Sequence, residues 1–210
     1  MKRPLWIALI AMAAGMALAA ITTAQAQDQP YRVLETPQAT VGDGVEVREF
    51  FSYGCPHCHD FAPRLADWAE RMGERITVVH TPVTFGRDSW ALLARAYYAA
   101  DALGILEQTH AALFDAIHEE GRQFAEREDI AAFYASVADV TEAEVMAALG
   151  AFSVEASLSR AERIVGTYGV PGTPAVAVGG RYLIDVRAAG GQTGMLEVAE
   201  SLVEQESVSP

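Results

Sequence analysis

The alternation of apolar and charged residues is clearest between residues 45 and 80. Val45–Phe51 alternates apolar with charged positions and then becomes fully apolar, which predicts a strand that enters the middle of a sheet. Tyr53-Gly54 ends this strand, and an amphipathic pattern then predicts a helix up to about Met72. The β-branched segment Ile76–His80 predicts the next strand. The order in this part of the chain is therefore strand, helix, strand.

A long helical block follows, from about Asp88 to Leu158. Apolar residues recur there every three or four positions, as they do on one face of a helix. The residues on two such faces are Trp90, Leu93, Tyr97 and Ala100, and then Leu106, Thr109, Leu113 and Ile117. Thr141 and Glu144 form a capping-box pattern that predicts the start of a further short helix. We expect residues 86–158 to form an all-helical segment.

Strand signals return after the helical block. Ala175–Val178 and Arg181–Ile184 flank Gly179-Gly180, and a two-residue glycine loop is typical of the tight turns of β-hairpins. A last helix is predicted from Thr193 to about Gln205. Because strands on the two sides of the helical block must pair to bury their faces, we predict one α/β domain, residues 27–210, that carries the helical segment as an insertion.

The first 26 residues have the features of a cleaved secretory leader. Lys2 and Arg3 precede the apolar run Leu5–Ile21, and Ala24-Gln25-Ala26 then provides a small-x-small cleavage pattern. A membrane-spanning helix is the alternative, since the apolar run approaches the ~20 residues that a span needs. The cleavage pattern and the polar residues after it favour removal before Gln27, and therefore bacterial export.

The charge balance is strongly acidic. Without the leader, 13 Lys and Arg residues stand against 28 Asp and Glu residues, a net charge of −15. Such a surface repels phosphate backbones and anionic lipid headgroups. We therefore expect no nucleic-acid partner.

The chain has two cysteines, Cys55 and Cys58, with Pro56 and His57 between them. A disulfide framework would spread its cysteines and a zinc knuckle would bring a second pair, so this motif leaves a redox dithiol, a haem attachment or an incomplete metal site. Proline favours the first helical position, so Cys55 should lie at the N-cap, where the helix dipole lowers the pKa of a thiol. Cys58 follows one turn later, within disulfide reach. We expect Cys55 to be the exposed, attacking thiol, and its stabilised thiolate makes the disulfide more oxidising.

His57 and Glu49 are further candidates for chemistry beside the dithiol. The His57 imidazole can donate to the Cys55 sulfur or pair with its thiolate; otherwise it is a solvent-facing residue. By strand parity, Glu49 shares a face with apolar residues such as Phe51, where a carboxylate could hold or relay a proton for Cys58. The alternative is a strand-end acid that reaches solvent or pairs with an arginine.

The segment Val170–Ala175 places two prolines ahead of an apolar strand. A cis bond between Thr173 and Pro174 would leave backbone groups free to receive an extended peptide beside a redox site. An ordinary turn is the alternative, since few X–Pro bonds in folded proteins are cis. Spacing leaves both possibilities open.

Taken together, these segments resemble the DsbA family of periplasmic thiol:disulfide oxidoreductases. Glu49–Cys58, with Cys55-Pro56-His57-Cys58 as its specific part, is similar to the family's segment from strand to active site. Pro174–Tyr182 is similar to its cis-proline and following hairpin. The resemblance covers essentially the whole mature chain in element order. It implies a thioredoxin-like fold with an all-helical domain inserted between a βαβ half and a C-terminal ββα half.

The resemblance also implies roles for individual residues. In the catalytic segment these are the nucleophile Cys55, the resolving Cys58, the dipeptide Pro56 and His57 that directs the pair toward donating disulfides, and the buried proton acceptor Glu49. Thr173 and Pro174 would form the loop that contacts substrate. No cofactor or metal is implied beyond the redox-active disulfide.

The implied partners and location follow from the same resemblance. The partners are exported polypeptides with reduced cysteines and a quinone-linked membrane protein of the DsbB type, which restores the disulfide. The location is the periplasm. We expect a monomer, because nothing in the sequence resembles a dedicated dimerisation segment.

A disulfide isomerase is a related alternative. Thr173 stands where many DsbA proteins have valine, and threonine is common there in the isomerases DsbC and DsbG. That residue tunes the potential and the release of substrate. Gln27–Gly44 is, however, too short to form the separate dimerisation domain that those isomerases carry.

Two alternatives come from other classes of protein. A c-type haem carrier would anchor haem on Cys55 and Cys58 and use His59 and a methionine such as Met146 as axial ligands. It explains neither the strand before the motif nor the hairpin after Pro174, and we expect His59 to be a surface residue of an exposed helix. A metal-binding module would use Cys55, His57, Cys58 and His59, which one helical turn cannot wrap around a tetrahedral ion.

Overall fold

The computed structural model describes residues 29–208, which form five strands and seven α-helices. The strands are β1 (Tyr31–Val33), β2 (Val45–Phe51), β3 (Ile76–Pro82), β4 (Ala175–Val178) and β5 (Tyr182–Ile184). The helices are α1 (Pro56–Met72), α2 (Asp88–Leu103), α3 (Leu106–His118), α4 (Arg127–Val137), α5 (Glu142–Leu149), α6 (Phe152–Tyr168) and α7 (Gln192–Val208). The leader predicted at residues 1–26 lies outside the described residues. Between residues 29 and 208, none of the helices has the length and apolar character that crossing a bilayer requires.

The strands form one mixed sheet in the order β1-β5-β4-β2-β3. β2 and β3 are parallel, with Val45 opposite Ile76 and Glu49 opposite His80. β4 is antiparallel to both β2 and β5. The strand-bearing halves on the two sides of the helical block therefore meet at the β2–β4 pair, as predicted.

β1 is a strand that the hydrophobic pattern does not predict. Its three residues are too few to show an alternation, and pairing with β5 defines it. Tyr31 packs edge-to-face on Tyr182, with ring centroids 5.3 Å apart. β3 also runs beyond the predicted end at His80, because it stays paired with β2 as far as Pro82.

Both faces of β2 are buried, because helices cover the two sides of the sheet. On one face, Val47 packs against α1 and α7, whose residues in this core include Phe61, Leu65, Trp68 and Met195. On the other face, Phe50 packs against Tyr168 of α6, with ring centroids 5.2 Å apart.

A buried ion pair also lies on this second face of β2. Arg48 and Glu46 are joined at 2.8 Å, and Arg48 donates a further hydrogen bond to the Thr81 hydroxyl. Burial of both charges without solvent is tolerated because each has a partner. The charged residues that alternate along β2 therefore pair with each other inside the protein and do not face solvent.

The β4–β5 hairpin turns on Gly179 and Gly180, as predicted. Their φ angles are 60° and 66°, in the left-handed region that other residues rarely adopt. A Cβ on Gly180 would lie 2.2 Å from the carbonyl oxygen of Gln38. The second glycine therefore also allows the segment before β2 to pass close to the turn.

The helical block forms its own core beside the sheet, from residues such as Leu113, Phe114, Ile130, Tyr134 and Leu149. Phe51, the last residue of β2, reaches into it, with ring contacts to Tyr53, Tyr97 and Phe114. The predicted boundary at residue 158 falls within α6. This helix continues because its buried positions continue, and it reaches the sheet at Tyr168.

Candidate active site

The C-x-x-C motif lies at the junction of β2 and α1. Cys55 occupies the N-cap with an extended backbone, φ −106° and ψ 113°, and Pro56 is the first helical residue. The Cys55 carbonyl accepts the amides of Cys58 and His59 at 3.0 and 3.2 Å. The predicted N-cap position is confirmed, and it places the Cys55 sulfur at the positive end of the helix dipole.

The two thiols have opposite electrostatic environments. Cys55 is buried, with 7% of its surface exposed, so the expectation of an exposed thiol is wrong; it is still the more accessible of the two, since Cys58 is fully buried. The hydrogen bond from the Cys58 thiol is the largest cause that lowers the pKa of Cys55 to about 5; burial opposes it, and Thr173 and the amides of the first helical turn add to it. Burial raises the pKa of Cys58 far above its ordinary value, and Cys55 and the charge of Glu49 raise it further. At neutral pH Cys55 is therefore a thiolate and Cys58 a thiol.

His57 presents its imidazole to solvent rather than to Cys55. The side chain is 78% exposed, and its Nδ1 lies 3.9 Å from Asp60 Oδ2. At the second helical position a side chain projects away from the helix, whereas the N–H points back toward the N-cap. The backbone of His57 is accordingly the part that lowers the pKa of Cys55. Gln192, at the start of α7, donates to the His57 carbonyl at 2.7 Å.

The loop before β4 lies directly against the dithiol. The Thr173–Pro174 peptide bond is cis, so the alternative of an ordinary turn is wrong. Cys55 Sγ lies 3.6 Å from the Thr173 carbonyl oxygen. A groove of about 610 Å³ adjoins this loop and is bordered by Arg32, Pro171 and Val186 among other residues. The structure thus brings Thr173 to Cys55, and Pro174 follows it in the same loop.

Glu49 is buried in the sheet beneath the motif. It is 1% exposed, and its Oε2 lies 2.6 Å from His80 Nδ1. The alternative of a solvent-reaching or arginine-paired acid is therefore wrong, because Arg48 pairs with Glu46 on the opposite face. Glu49 Oε1 has no hydrogen-bond partner among residues 29–208.

A polar cluster that the sequence does not predict surrounds this carboxylate. His80 could have been found by setting the two parallel strands in register, whereas His110 arrives from α3 through tertiary packing alone. Tyr53 Oη and His110 Nδ1 lie 2.8 Å apart. Burial lowers the pKa of His110 to about 3, with His80 adding to the shift, and burial raises the pKa of Tyr53 well above its ordinary value. The phenol therefore donates to a neutral imidazole.

His59 keeps a partly exposed side chain, 22% accessible, but it is not the free surface residue that the sequence predicts. Its Nε2 lies 3.0 Å from Asp115 Oδ1 on α3, and its ring stacks on His118 with centroids 5.2 Å apart. The reason is that α3 of the helical insertion packs against α1 and partly covers this position. The nitrogen that a haem iron would need is thus already bonded to a carboxylate.

The four-residue metal set proposed at the motif is not assembled. The His57 ring turns to Asp60 and the His59 ring to Asp115. Within the described part of the chain, His59, Asp115 and Glu119 are a group whose ligand atoms lie within 4.8 Å of one another. Neither cysteine belongs to this group.

The chain is similar to one family of known proteins over most of its length. Residues 46–200 match the family described as the DSBA-like thioredoxin domain. The thiol:disulfide interchange protein DsbA of Azotobacter vinelandii is 35% identical over 162 residues, which cover 77% of this chain and 75% of that protein. The protein of the same name from Pseudomonas aeruginosa is 30% identical over 207 residues, which cover 98% of this chain and 97% of that protein.

Solved structures show the same similarity. The crystal structure of Pseudomonas aeruginosa DsbA superposes with a TM-score of 0.78 at 30% identity, covering 85% of this chain and 92% of that one. The oxidoreductase DsbA from Xylella fastidiosa gives a TM-score of 0.80 at 31% identity, covering 86% of this chain and 97% of that one. The thioredoxin-like fold with its helical insertion is therefore confirmed.

Proposed function

Because the chain belongs to the family of DSBA-like thioredoxin domains and is a thiol:disulfide oxidoreductase, we propose that it donates its Cys55–Cys58 disulfide to reduced cysteines of exported, folding proteins. The observation that carries this proposal is the opposite displacement of the two thiol pKa values beside the Thr173–Pro174 loop. One sulfur is prepared to leave as a thiolate, and the other to be held as a thiol.

The reaction proceeds through a mixed disulfide. A substrate thiolate attacks Cys55 Sγ, the Cys55–Cys58 bond breaks, and the electron pair of that bond goes to Cys58. Because burial raises the pKa of Cys58, this sulfur takes a proton, which we assign to the carboxyl of Glu49. A second substrate thiolate then attacks the substrate sulfur of the mixed disulfide. A substrate disulfide forms and Cys55 leaves as a thiolate.

The low pKa of Cys55 supports the oxidising direction. Groups that stabilise the thiolate stabilise the reduced enzyme relative to its disulfide, so the disulfide is passed on more readily. The donors that do this are the Cys58 thiol, the Thr173 side chain and the backbone of the first turn of α1. Thr173 therefore supports oxidation here, whatever its use in isomerases.

The groove beside the loop supports an extended polypeptide as substrate. It adjoins Thr173 and Pro174, and its walls also include Leu183 and Ile184 of β5. A segment lying there places a cysteine near Cys55 without a need for a deep pocket. Recognition through the backbone and apolar contact suits substrates of varied sequence.

The predicted leader supports a periplasmic location, where exported chains acquire disulfides. Each transfer leaves Cys55 as a thiolate and Cys58 as a thiol, so restoring the disulfide requires a further partner that takes two electrons, while the proton of Cys58 is lost. We propose that a quinone-linked membrane protein of the DsbB type does this, and that the chain acts as a monomer.

The direct experiment combines the oxidised protein with a reduced, unfolded peptide that contains two cysteines. We expect rapid transfer of one disulfide per protein, complete loss of transfer in Cys55→Ser, and trapped mixed disulfides in Cys58→Ser. Equilibration with glutathione gives the oxidising strength. A protein that reshuffles scrambled disulfides but transfers none of its own would refute the proposal, as would a haem absorption band in the purified protein.

A further inference from the structure

We propose that His80 is the group through which the carboxyl of Glu49 exchanges its proton with solvent when Cys58 is oxidised or reduced. This inference rests on the proposed function, in which Glu49 exchanges a proton with Cys58. It assigns a proton-relay and positioning role to a residue that lies outside the C-x-x-C motif and the loop before β4.

The first support is the isolation of Glu49. Its side chain is 1% exposed, and of its two oxygens Oε1 has no hydrogen-bond partner within residues 29–208. Oε2 is held at 2.6 Å by His80 Nδ1. A proton that Glu49 takes from Cys58 therefore needs an exit, and the contact with His80 supplies one.

The second support is the position of His80. It lies opposite Glu49 in the parallel register of β2 and β3, so the backbone pairing fixes the two side chains side by side. The His80 side chain is 30% exposed. An imidazole can accept a proton on one ring nitrogen and release one from the other. His80 thus contacts both the buried carboxylate and solvent.

Besides Glu49 from β2, His80 faces His110 from α3, Tyr97 from α2 and the apolar ring of Phe51, and none of these three competes for the proton. The His110 ring lies 5.0 Å from the His80 ring, centroid to centroid. Burial lowers the pKa of His110 to about 3, so this ring is neutral. Burial raises the pKa of Tyr97, so its phenol keeps its proton. The exchange is left to Glu49 and His80.

The step is clearest when the reduced protein is reoxidised by a small disulfide such as glutathione disulfide. The Cys55 thiolate attacks one sulfur, a glutathione thiolate leaves, and a mixed disulfide forms. Cys58 then gives its proton to Glu49 and attacks Cys55 Sγ, which closes the disulfide and releases the second glutathione thiolate. Glu49 passes a proton to His80 Nδ1, and His80 releases one from Nε2 to water. The proton of Cys58 stays in place during the first step and moves only in the second.

The experiment measures these two steps separately, by acid quenching, alkylation and mass spectrometry, in the unmodified protein, His80→Gln, Glu49→Gln and the double variant. Glutamine can hydrogen-bond to Glu49 but cannot carry a proton. His59→Gln is the matched control, since the His59 imidazole pairs with Asp115 rather than with Glu49. We expect His80→Gln to slow the second step by about tenfold or more and to leave the first step unchanged. The double variant should be no slower than Glu49→Gln, because both changes interrupt one path.

Two readouts separate a proton path from a structural effect. Added imidazole buffer should accelerate the second step of His80→Gln and not that of the unmodified protein. The second step of the unmodified protein should also slow in deuterium oxide more than the first step does. If His80→Gln does not fold, His80→Asn takes its place, and the isotope comparison needs no variant.

The outcomes distinguish the two proposals. If Glu49→Gln slows the second step and His80→Gln does not, the role of His80 is refuted and that of Glu49 stands. If neither variant slows it, or if the second step shows no isotope effect, both proton-transfer roles are refuted while disulfide donation through Cys55 stands. If the unmodified protein forms no mixed disulfide at all, the proposed function fails regardless of His80.

Discussion

Replacing Cys58 with alanine should raise the pKa of Cys55 more than any other single side-chain change near the motif. The hydrogen bond from the Cys58 thiol is the largest cause of the fall from 9.0 to about 5. That fall corresponds to about 5 kcal/mol of preference for the thiolate, at ~1.4 kcal/mol per pKa unit. A hydrogen bond to a charged group contributes ~1.5–3 kcal/mol. Its removal should therefore raise the pKa of Cys55 by about one to two units.

The assay is the ultraviolet absorbance of the thiolate as a function of pH, or the rate of alkylation of Cys55 over the same range. Cys58→Ser is the matched control, because a serine hydroxyl can still donate a hydrogen bond to the Cys55 sulfur. We expect a much smaller rise in the serine variant. If alanine and serine give the same Cys55 pKa as the unmodified protein, the thiol of Cys58 does not stabilise the thiolate and the reasoning is wrong.

The same change should alter how the stability of the reduced protein depends on pH. A cysteine whose pKa is lower in the folded than in the unfolded state stabilises the fold above the unfolded pKa, and this contribution is lost as the pH falls to the folded pKa. The window runs from pH about 9 down to about 5 in the unmodified protein. In Cys58→Ala the folded pKa of Cys55 is higher, so the window ends at a higher pH. The resulting loss of unfolding free energy is roughly 1–3 kcal/mol at pH 8, allowing for solvent screening, and it disappears below pH 5. Urea unfolding at both pH values measures the difference, and a loss that is equal at both would contradict it.

Three further changes test other contacts. Thr173→Val should raise the pKa of Cys55 by less than Cys58→Ala does, and it should weaken the protein as an oxidant. Equilibration with glutathione measures this effect, and an unchanged equilibrium would show that Thr173 does not stabilise the thiolate. Glu46→Gln leaves the charge of Arg48 buried without its anionic partner, so urea unfolding should show a loss of about 3–5 kcal/mol, whereas a surface pair would lose less than about 1 kcal/mol. Phe51→Ala should cost about 3–5 kcal/mol in the same assay, and a smaller loss would mean that the two cores repack around the cavity.

Most of the fold follows from local patterns in the sequence. The alternation in Val45–Phe51, the paired glycines of the hairpin and the capping box at Thr141 each depend on neighbours along the chain, and each is confirmed. β1 cannot be predicted in this way, because a three-residue strand is defined only by its pairing with β5.

In the candidate site, too, local features can be predicted from the sequence and features that depend on tertiary packing cannot. The N-cap position of Cys55 follows from Pro56 beside it, and the structure confirms it. The surroundings of Glu49 and His59 depend on what packs over them, and the sequence shows neither β3 in register nor α3 against α1. Strand parity finds the face on which Glu49 lies but not the histidine that bonds to it. The solvent-facing orientation of the His57 ring likewise depends on the geometry of the first turn of α1.

The pairing of β2 with β4 also has a consequence for how the chain folds. Val47 pairs with Val178, so every residue of the helical block lies in the loop that this contact closes. Loop closure over such a distance is entropically costly and slows folding, whereas the helices can form from local contacts. We therefore expect a helical intermediate in which the central strand still lacks its antiparallel neighbour. During synthesis the β4–β5 hairpin emerges only after the whole helical block, so Cys55 and Cys58 meet the loop that contacts Cys55 late in the synthesis of the chain.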